Sequence, residues 1–341
     1  MKAMALIEFD KELQEIELPD PVPGENDVIL DVAACGVCQT DLKIVAGTHP
    51  SSRQIKLPHV PGHEIAGVVS AVGRNVKGWN LGDRAIVYLT AGCGTCKFCR
   101  KGRDQLCLGF RDGSASSFGF TRNGGFGEKV KVPVRNLVRY SDKISDEAAS
   151  IIPDALATAV HAVMNRGTVC PGERVLIFGA GGVGLHTLQA AHLCGAYTII
   201  ADIDEDKLKL ARQYGADQTV LVGKDDFSRL KVDKIFETSG VLSKNMWLMD
   251  ALEIGGTLII VGYRPDAVLQ AGITEIVARE YEIKGSRGCT YTDLVTSVEL
   301  VERGLITPLV GTKYSFRQVN QALADLKAGK ISGRGVLSRE T

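Results

Sequence analysis

Along the first 150 residues, apolar positions fall in short β-branched runs separated by turn residues. Val28-Ile-Leu-Asp-Val-Ala33, Gly67-Val-Val-Ser-Ala-Val72, Arg84-Ala-Ile-Val-Tyr88 and Glu128-Lys-Val-Lys-Val132 read as strands. Between them lie Gly, Pro and Asn clusters such as Pro19–Gly24 and Arg122–Gly125. The pattern predicts an irregular antiparallel or barrel-like domain. Near residue 150 the texture changes to alternating strands and helices. Arg174–Phe178, Tyr197–Ala201, Lys234–Glu237 and Thr257–Val261 read as strands; Val183–Leu193 and Glu205–Tyr214 read as helices. Repeated strand–helix units imply a parallel, doubly wound sheet, so the fold class is α/β beside a β-rich domain. After about residue 290 come two helical patterns, Asp293–Arg303 and Phe316–Ala328, and a final short strand.

A chain of 341 residues has room for two cores. Forty basic residues balance forty acidic ones, which argues against nucleic acid or an anionic membrane as partner. No apolar run approaches the ~20 residues of a membrane span. The apolar part of the N-terminus is too short for a signal peptide. Nine cysteines in such a chain fit a reducing cytoplasm better than a disulfide scaffold.

Four of those cysteines, Cys93, Cys96, Cys99 and Cys107, stand at C-x2-C-x2-C-x7-C in a Gly/Lys-rich loop. Four thiolates complete a tetrahedral zinc shell and leave no position for substrate, so the run reads as a structural zinc lobe at about residues 90–110. A disulfide cluster or four unrelated core cysteines is the competing account. Directly after the Arg174–Phe178 strand comes Gly179-Ala-Gly181-Gly182-Val183-Gly184, a G-x-G-x-x-G turn opening a helix. Its glycines permit a tight turn, close approach of a pyrophosphate and close helix–sheet packing, and the helix N-terminus offers free N–H groups. Asp202 at the tip of the next strand would bind a ribose 2′-OH and repel a 2′-phosphate, which selects NAD over NADP. Alternatively Asp202 caps the following helix, a task open also to Asp204.

These features, together with Gly36-Val-Cys38-Gln-Thr-Asp-Leu42, Gly62-His63-Glu64, Gly82-Asp83, Gly124-Gly-Phe126 and Gly333-Arg-Gly-Val336, occur in the order of the zinc-dependent medium-chain alcohol dehydrogenase family, which the chain resembles from end to end. The resemblance implies a GroES-like catalytic domain at 1–153, an inserted Rossmann domain at 154–289, a return to the catalytic domain at 290–341, and an active site in the cleft between the two. Cys38 and His63 resemble ligands of a catalytic zinc, and Glu64 a carboxylate that binds the metal when water or substrate leaves. Where many members carry a third ligand Cys, this chain has Asp154, a competent zinc ligand. Pro153-Asp154 could instead simply open a helix. Thr40 matches the hydroxyl that begins the family's proton relay, but Lys43 replaces the relay histidine and Gln39 a basic residue near the pyrophosphate. Arg334 resembles a phosphate-contacting arginine and Lys207 a residue near the adenosine ribose; Leu89 and Phe120 fall where the family walls its substrate pocket. His49, His59, His161, His186 and His192 receive no role, and Cys35, Cys170, Cys194 and Cys289 read as small buried residues.

The resemblance implies a cytoplasmic, NAD-dependent oxidoreductase with one catalytic and one structural Zn2+, a homotetramer or homodimer that pairs through residues 255–285. Its substrate would be a small alcohol or carbonyl compound. A polyol, sugar or L-threonine dehydrogenase is the alternative the Lys43 departure raises. A non-enzymatic dinucleotide-binding protein is disfavoured because the candidate ligands are all in place.

Overall fold

In the computed structural model, which describes residues 1–225, 227, 229–241, 246–265 and 267–339, the first β-branched run extends into an eleven-residue strand, Asp27–Val37. Its sheet runs in the order Val310–Ser315, Arg334–Ser338, Asp27–Val37, Glu64–Val72, Arg84–Val87, Leu137–Arg139. All neighbours are antiparallel except the first two strands. Lys129–Pro133 pairs with the first half of Asp27–Val37, and Arg334–Ser338 pairs with its second half. The pairing of Asp27–Val37 with Glu64–Val72 shifts register at Ile29/Leu30 and at Val32/Ala34, and the second shift falls between those two pairings, the kind of local kink that bends a strand. Leu30, Val32, Ile65, Val87, Phe118, Phe126 and Leu337 fill the core beneath it. This unit comprises Met1–Asp154, Thr290–Gly304 and Pro308–Thr341.

The second unit, Ala155–Cys289 with Leu305–Thr307, is built on an all-parallel sheet. Its order is Gln218–Leu221, Tyr197–Asp202, Arg174–Phe178, Val232–Glu237, Leu252–Ile260, Glu282–Gly285. The central strands are buried on both faces and accordingly read as continuous apolar runs rather than alternating ones. The chain lays down two strands on one side of Arg174–Phe178 and then crosses to the other. The strand order therefore reverses between Arg174–Phe178 and Val232–Glu237. The GroES-like and doubly wound architectures expected from the sequence are both present. The short edge strands Gln218–Leu221 and Glu282–Gly285 carry little apolar signal and were not anticipated. Among the described residues no helix is long and apolar enough to cross a membrane.

Candidate active site

The end of the Asp27–Val37 strand delivers Cys38, which caps the seven-residue helix Gln39–Val45. The cap is reciprocal: the Thr40 N–H donates to Cys38 Sγ at 3.4 Å, and the Cys38 N–H donates to Asp41 Oδ2 at 2.8 Å. Donation from N–H stabilises a thiolate, and the first turn of a helix adds a favourable field. The neighbouring strand Glu64–Val72 delivers Glu64, with His63 just before it. Asp154 sits on a widened helical turn, Ile152–Leu156, after a helix that Ser145 has already capped. Pro153-Asp154 thus does not open that helix.

Cys38, His63, Glu64 and Asp154 each place a ligand atom within 4.8 Å of the others. Asp154 Oδ2 lies 3.6 Å from Cys38 Sγ and 3.5 Å from His63 Nε2. A tetrahedral zinc with bonds of ~2.3 Å to sulfur and ~2.0 Å to nitrogen or oxygen sets such edges at about 3.3–3.5 Å, so the donor set fits this metal. Asp41, fully buried, holds His63 Nδ1 at 3.2 Å, which leaves the Nε2 lone pair for a metal. Burial opposes charge on His63, but Asp41, Asp154 and Cys38 together lift its pKa well above the usual imidazole value. Asp154 is held far below the carboxylate range: burial opposes this, and the His63 contact followed by the Arg334 charge overcomes it.

Arg334 lies beside Glu64 and Asp154 in the first unit. It is 5% exposed, and its Nε donates to Glu64 Oε1 and Oε2 at 2.9 and 3.0 Å. Its Nη2 also donates to Glu64 Oε1, and to Asp154 Oδ2 at 2.9 Å. Nε and Nη2 of the guanidinium are thus engaged by the two carboxylates. Burial pushes the Glu64 carboxyl up, to about 7, against the pull of Arg334. Gly36 faces Glu64 across the strands, and a Cβ there would lie 1.8 Å from Glu64 Oε2. Only glycine leaves room for this carboxylate.

Phe120 packs beside the centre, its ring 4.9 Å from that of His63 and 5.2 Å from that of His49. Leu89 is half-buried, and its carbonyl accepts from the Phe118 N–H at 3.0 Å. Thr40 and Lys43 are half-buried on the capped helix, and Gln39 is exposed.

The four-cysteine loop is a chain of one-turn helices, Cys99–Lys101, Asp104–Leu106 and Leu108–Phe110. Its sulfurs stand 4.0 Å (Cys93–Cys99), 3.6 Å (Cys96–Cys99) and 3.9 Å (Cys96–Cys107) apart. Disulfides require about 2.05 Å, whereas a tetrahedral Zn–S4 shell has edges of about 3.8 Å. Backbone N–H groups of Cys96, Cys93 and Gly109 point at Cys93 and Cys107 sulfurs, as thiolates need. Hydrogen bonds from Thr95 bring the Cys93 thiol down to about 6.

In the second unit, Gly179–Gly184 links Arg174–Phe178 to the helix Gly182–Leu193. A Cβ on Gly184 would meet the Gly179 carbonyl at 1.8 Å, which accounts for the last glycine of the motif. Asp202 accepts from Ala180 N–H at 2.6 Å and from Asp204 N–H at 3.0 Å, so it ties the glycine turn to the next loop. The helix Glu205–Gln213 is capped by Asp204 instead. Lys207 lies 3.8 Å from Asp204, a loose surface pair. Two acids with structural importance here escaped the sequence reading. One is Asp41, whose signal was its place three residues after a candidate ligand. The other is Glu237, a fully buried carboxylate at the strand-order reversal. Glu237 Oε1 accepts from Ser239 N–H at 3.0 Å and Gly240 N–H at 2.9 Å, which fixes the turn beside Gly179. An acid ending the apolar run Lys234–Glu237 was its only mark.

A thiol–imidazole–carboxylate cluster able to hold a metal, on a β-sheet unit, with a glycine-turn parallel sheet in the same chain, points to the class of metal-dependent dehydrogenases. Residues 24–142 match the alcohol dehydrogenase GroES-like domain, and residues 182–303 match the zinc-binding dehydrogenase domain. The chain is 33% identical to an alcohol dehydrogenase of Geobacillus stearothermophilus, covering 99% of this chain and 98% of that one. It is 31% identical to an L-threonine 3-dehydrogenase of Shewanella sp. (strain W3-18-1), covering 99% of both. The crystal structure of the alcohol dehydrogenase of Aeropyrum pernix superposes with a TM-score of 0.91 at 31% identity, over 99% of this chain and 100% of that one. The protein belongs to the zinc-binding, medium-chain dehydrogenase/reductase family.

Proposed function

We propose that this protein is an NAD-dependent zinc alcohol dehydrogenase that interconverts a primary or secondary alcohol with its aldehyde or ketone. The observation that carries this reading is the convergence of Cys38, His63 and Asp154 at tetrahedral spacing, with Glu64 alongside. These residues would hold the catalytic zinc, and Cys93, Cys96, Cys99 and Cys107 the structural one. When bound, zinc supplies Lewis acidity that makes an alcohol acidic near neutral pH, and NAD accepts the hydride. The chain's own residues do the rest. Asp41 keeps the His63 proton on Nδ1. Phe120 excludes water from one side of the centre. The Thr40 hydroxyl takes the substrate proton outward. Because a lysine amine is ordinarily already protonated at neutral pH, we assign Lys43 to substrate or cofactor contact, and the proton leaves through hydroxyls and water.

Gly179, Gly181, Gly182, Val183 and Gly184 would cradle the pyrophosphate, with Asp202 on the ribose and Lys207 nearby. Relief of the capping role by Asp204 supports the ribose assignment. Asp202→Ala is expected to cut the NAD-over-NADP ratio of kcat/KM by about 10-fold or more, the size of one or two lost charge-assisted hydrogen bonds. An unchanged ratio leaves Asp202 as a purely local tie to Ala180.

The substrate panel decides between readings. NAD reduction by zinc-loaded protein should be followed with primary and secondary alcohols, polyols and L-threonine. Saturable turnover of a simple alcohol upholds the proposal. Turnover of polyols or threonine alone moves the protein to the second reading, which the threonine dehydrogenase relatives and Lys43 favour. No turnover with two zinc ions per chain rejects both. We further propose a homotetramer or homodimer, acting in a reducing cytoplasm. In support, Glu282–Gly285 pairs only with Leu252–Ile260 among the described residues, and exposed Ile254, Ile273 and Val277 lie on that half of the unit.

A further inference from the structure

A buried arginine beside a candidate metal centre is unfavourable unless anions balance both cations. Here they do. Cys38 thiolate, Glu64 and Asp154 bring three negative charges against the two of a zinc ion, and Arg334 supplies the one that remains. The placement follows from strand register. Arg334–Ser338 and Glu64–Val72 flank opposite edges of Asp27–Val37, and Gly36, side-chain-free, leaves the gap across which Arg334 and Glu64 meet. The guanidinium grips Glu64 through both carboxylate oxygens and spends its remaining Nη2 bond on Asp154 Oδ2. That Asp154 oxygen is the same one that faces Cys38 and His63. Glu64 nevertheless has an oxygen within 4.8 Å of the other three donors, one side-chain swing from the metal position.

Building on the zinc dehydrogenase reading, we propose that Arg334 is a positioning residue that holds Glu64 out of the zinc shell, so that the fourth coordination place stays open to substrate. Glu64 is the reserve ligand and Arg334 is the latch. Without the latch, Glu64 closes the shell and competes with substrate for the metal. The prediction is opposed in sign to that of a merely structural arginine. Arg334→Met should bind the catalytic zinc about 10-fold more tightly, because an unpaired carboxylate joins the shell, while kcat falls by about 100-fold. Arg334→Lys keeps the charge but not the two-pronged grip and should fall between.

The experiment measures zinc affinity by competition with a chromophoric chelator, the visible spectrum of cobalt-substituted protein, and turnover, on wild type, R334M, R334K and R334M/E64Q. Tighter zinc, an altered cobalt spectrum and slow turnover in R334M, with affinity and spectrum returned to wild type by the added E64Q, establish the latch. Weaker or unchanged affinity with an unchanged cobalt spectrum in R334M overturns it. If R334M does not fold, E64Q alone decides: the latch predicts zinc affinity within about 3-fold of wild type, and a loss beyond 10-fold overturns it. Wild-type protein that retains only the lobe zinc fails the underlying reading instead, a distinct outcome seen before any variant is made.

Discussion

Asp154→Ala should abolish turnover while leaving one zinc ion per chain. Asp154 Oδ2 is the atom that faces Cys38 Sγ, His63 Nε2 and Arg334 Nη2 together. Removing it deletes a ligand and strands the charge of a buried arginine on Glu64 alone. Loss of an outer partner of a metal site costs about 10–100-fold, so loss of a ligand should exceed that, at about 10³-fold or more in kcat/KM. The lobe ion should stay, because its four sulfurs come from residues 93–107 and share no donor with the catalytic set. Asp154→Cys should recover metal and part of the activity, since a thiolate supplies the same charge at a slightly longer bond. Metal analysis and steady-state kinetics on the pair check this. Full zinc content with undiminished turnover in Asp154→Ala would remove the residue from the shell.

Cys107→Ser should have the largest effect on stability. The lobe has three single-turn helices and few buried side chains, among them Cys107 itself, so the metal proposed for it would serve as its core. Structural zinc contributes ~10–16 kcal/mol in isolated fingers, and only part of that reaches a lobe attached to a larger unit. A loss of about 4 kcal/mol would lower Tm by about 10 °C in a unit of this size. Calorimetry with and without a chelator tests it: wild type treated with chelator should approach the variant. A variant that melts with wild type shows that the lobe does not contribute to the cooperative unit. Catalytic zinc should survive the substitution, so activity at moderate temperature serves as the control.

The sequence announced some parts of this arrangement plainly and hid others for physical reasons. The Arg174–Phe178 strand, the glycine turn and the helix after it were legible because periodicity and glycine geometry are local properties. The four-cysteine lobe was legible from spacing alone. The helix Gln39–Val45 was not, since seven residues with two buried side chains give no amphipathic pattern; its cap is a thiol rather than a usual capping residue. Glu282–Gly285 was hidden because an edge strand with one covered flank has no alternation to read. Asp154 entered through family resemblance, not through any property of the run Ile151–Ala159. The pairing of Arg334 with Glu64 lies 270 residues apart in sequence and is set by register across a third strand, which no local pattern encodes. The sequence therefore offered no sign that Arg334 pairs with Glu64 and Asp154.

The order in which the donors appear along the chain has a bearing on biosynthesis. Cys38, His63 and Asp154 precede the inserted unit, whereas Arg334 follows it. During translation the three ligands and Glu64 leave the ribosome before their counter-ion exists. Until the last strand pairs, Glu64 and Asp154 therefore lack the arginine that binds both of them in the folded unit.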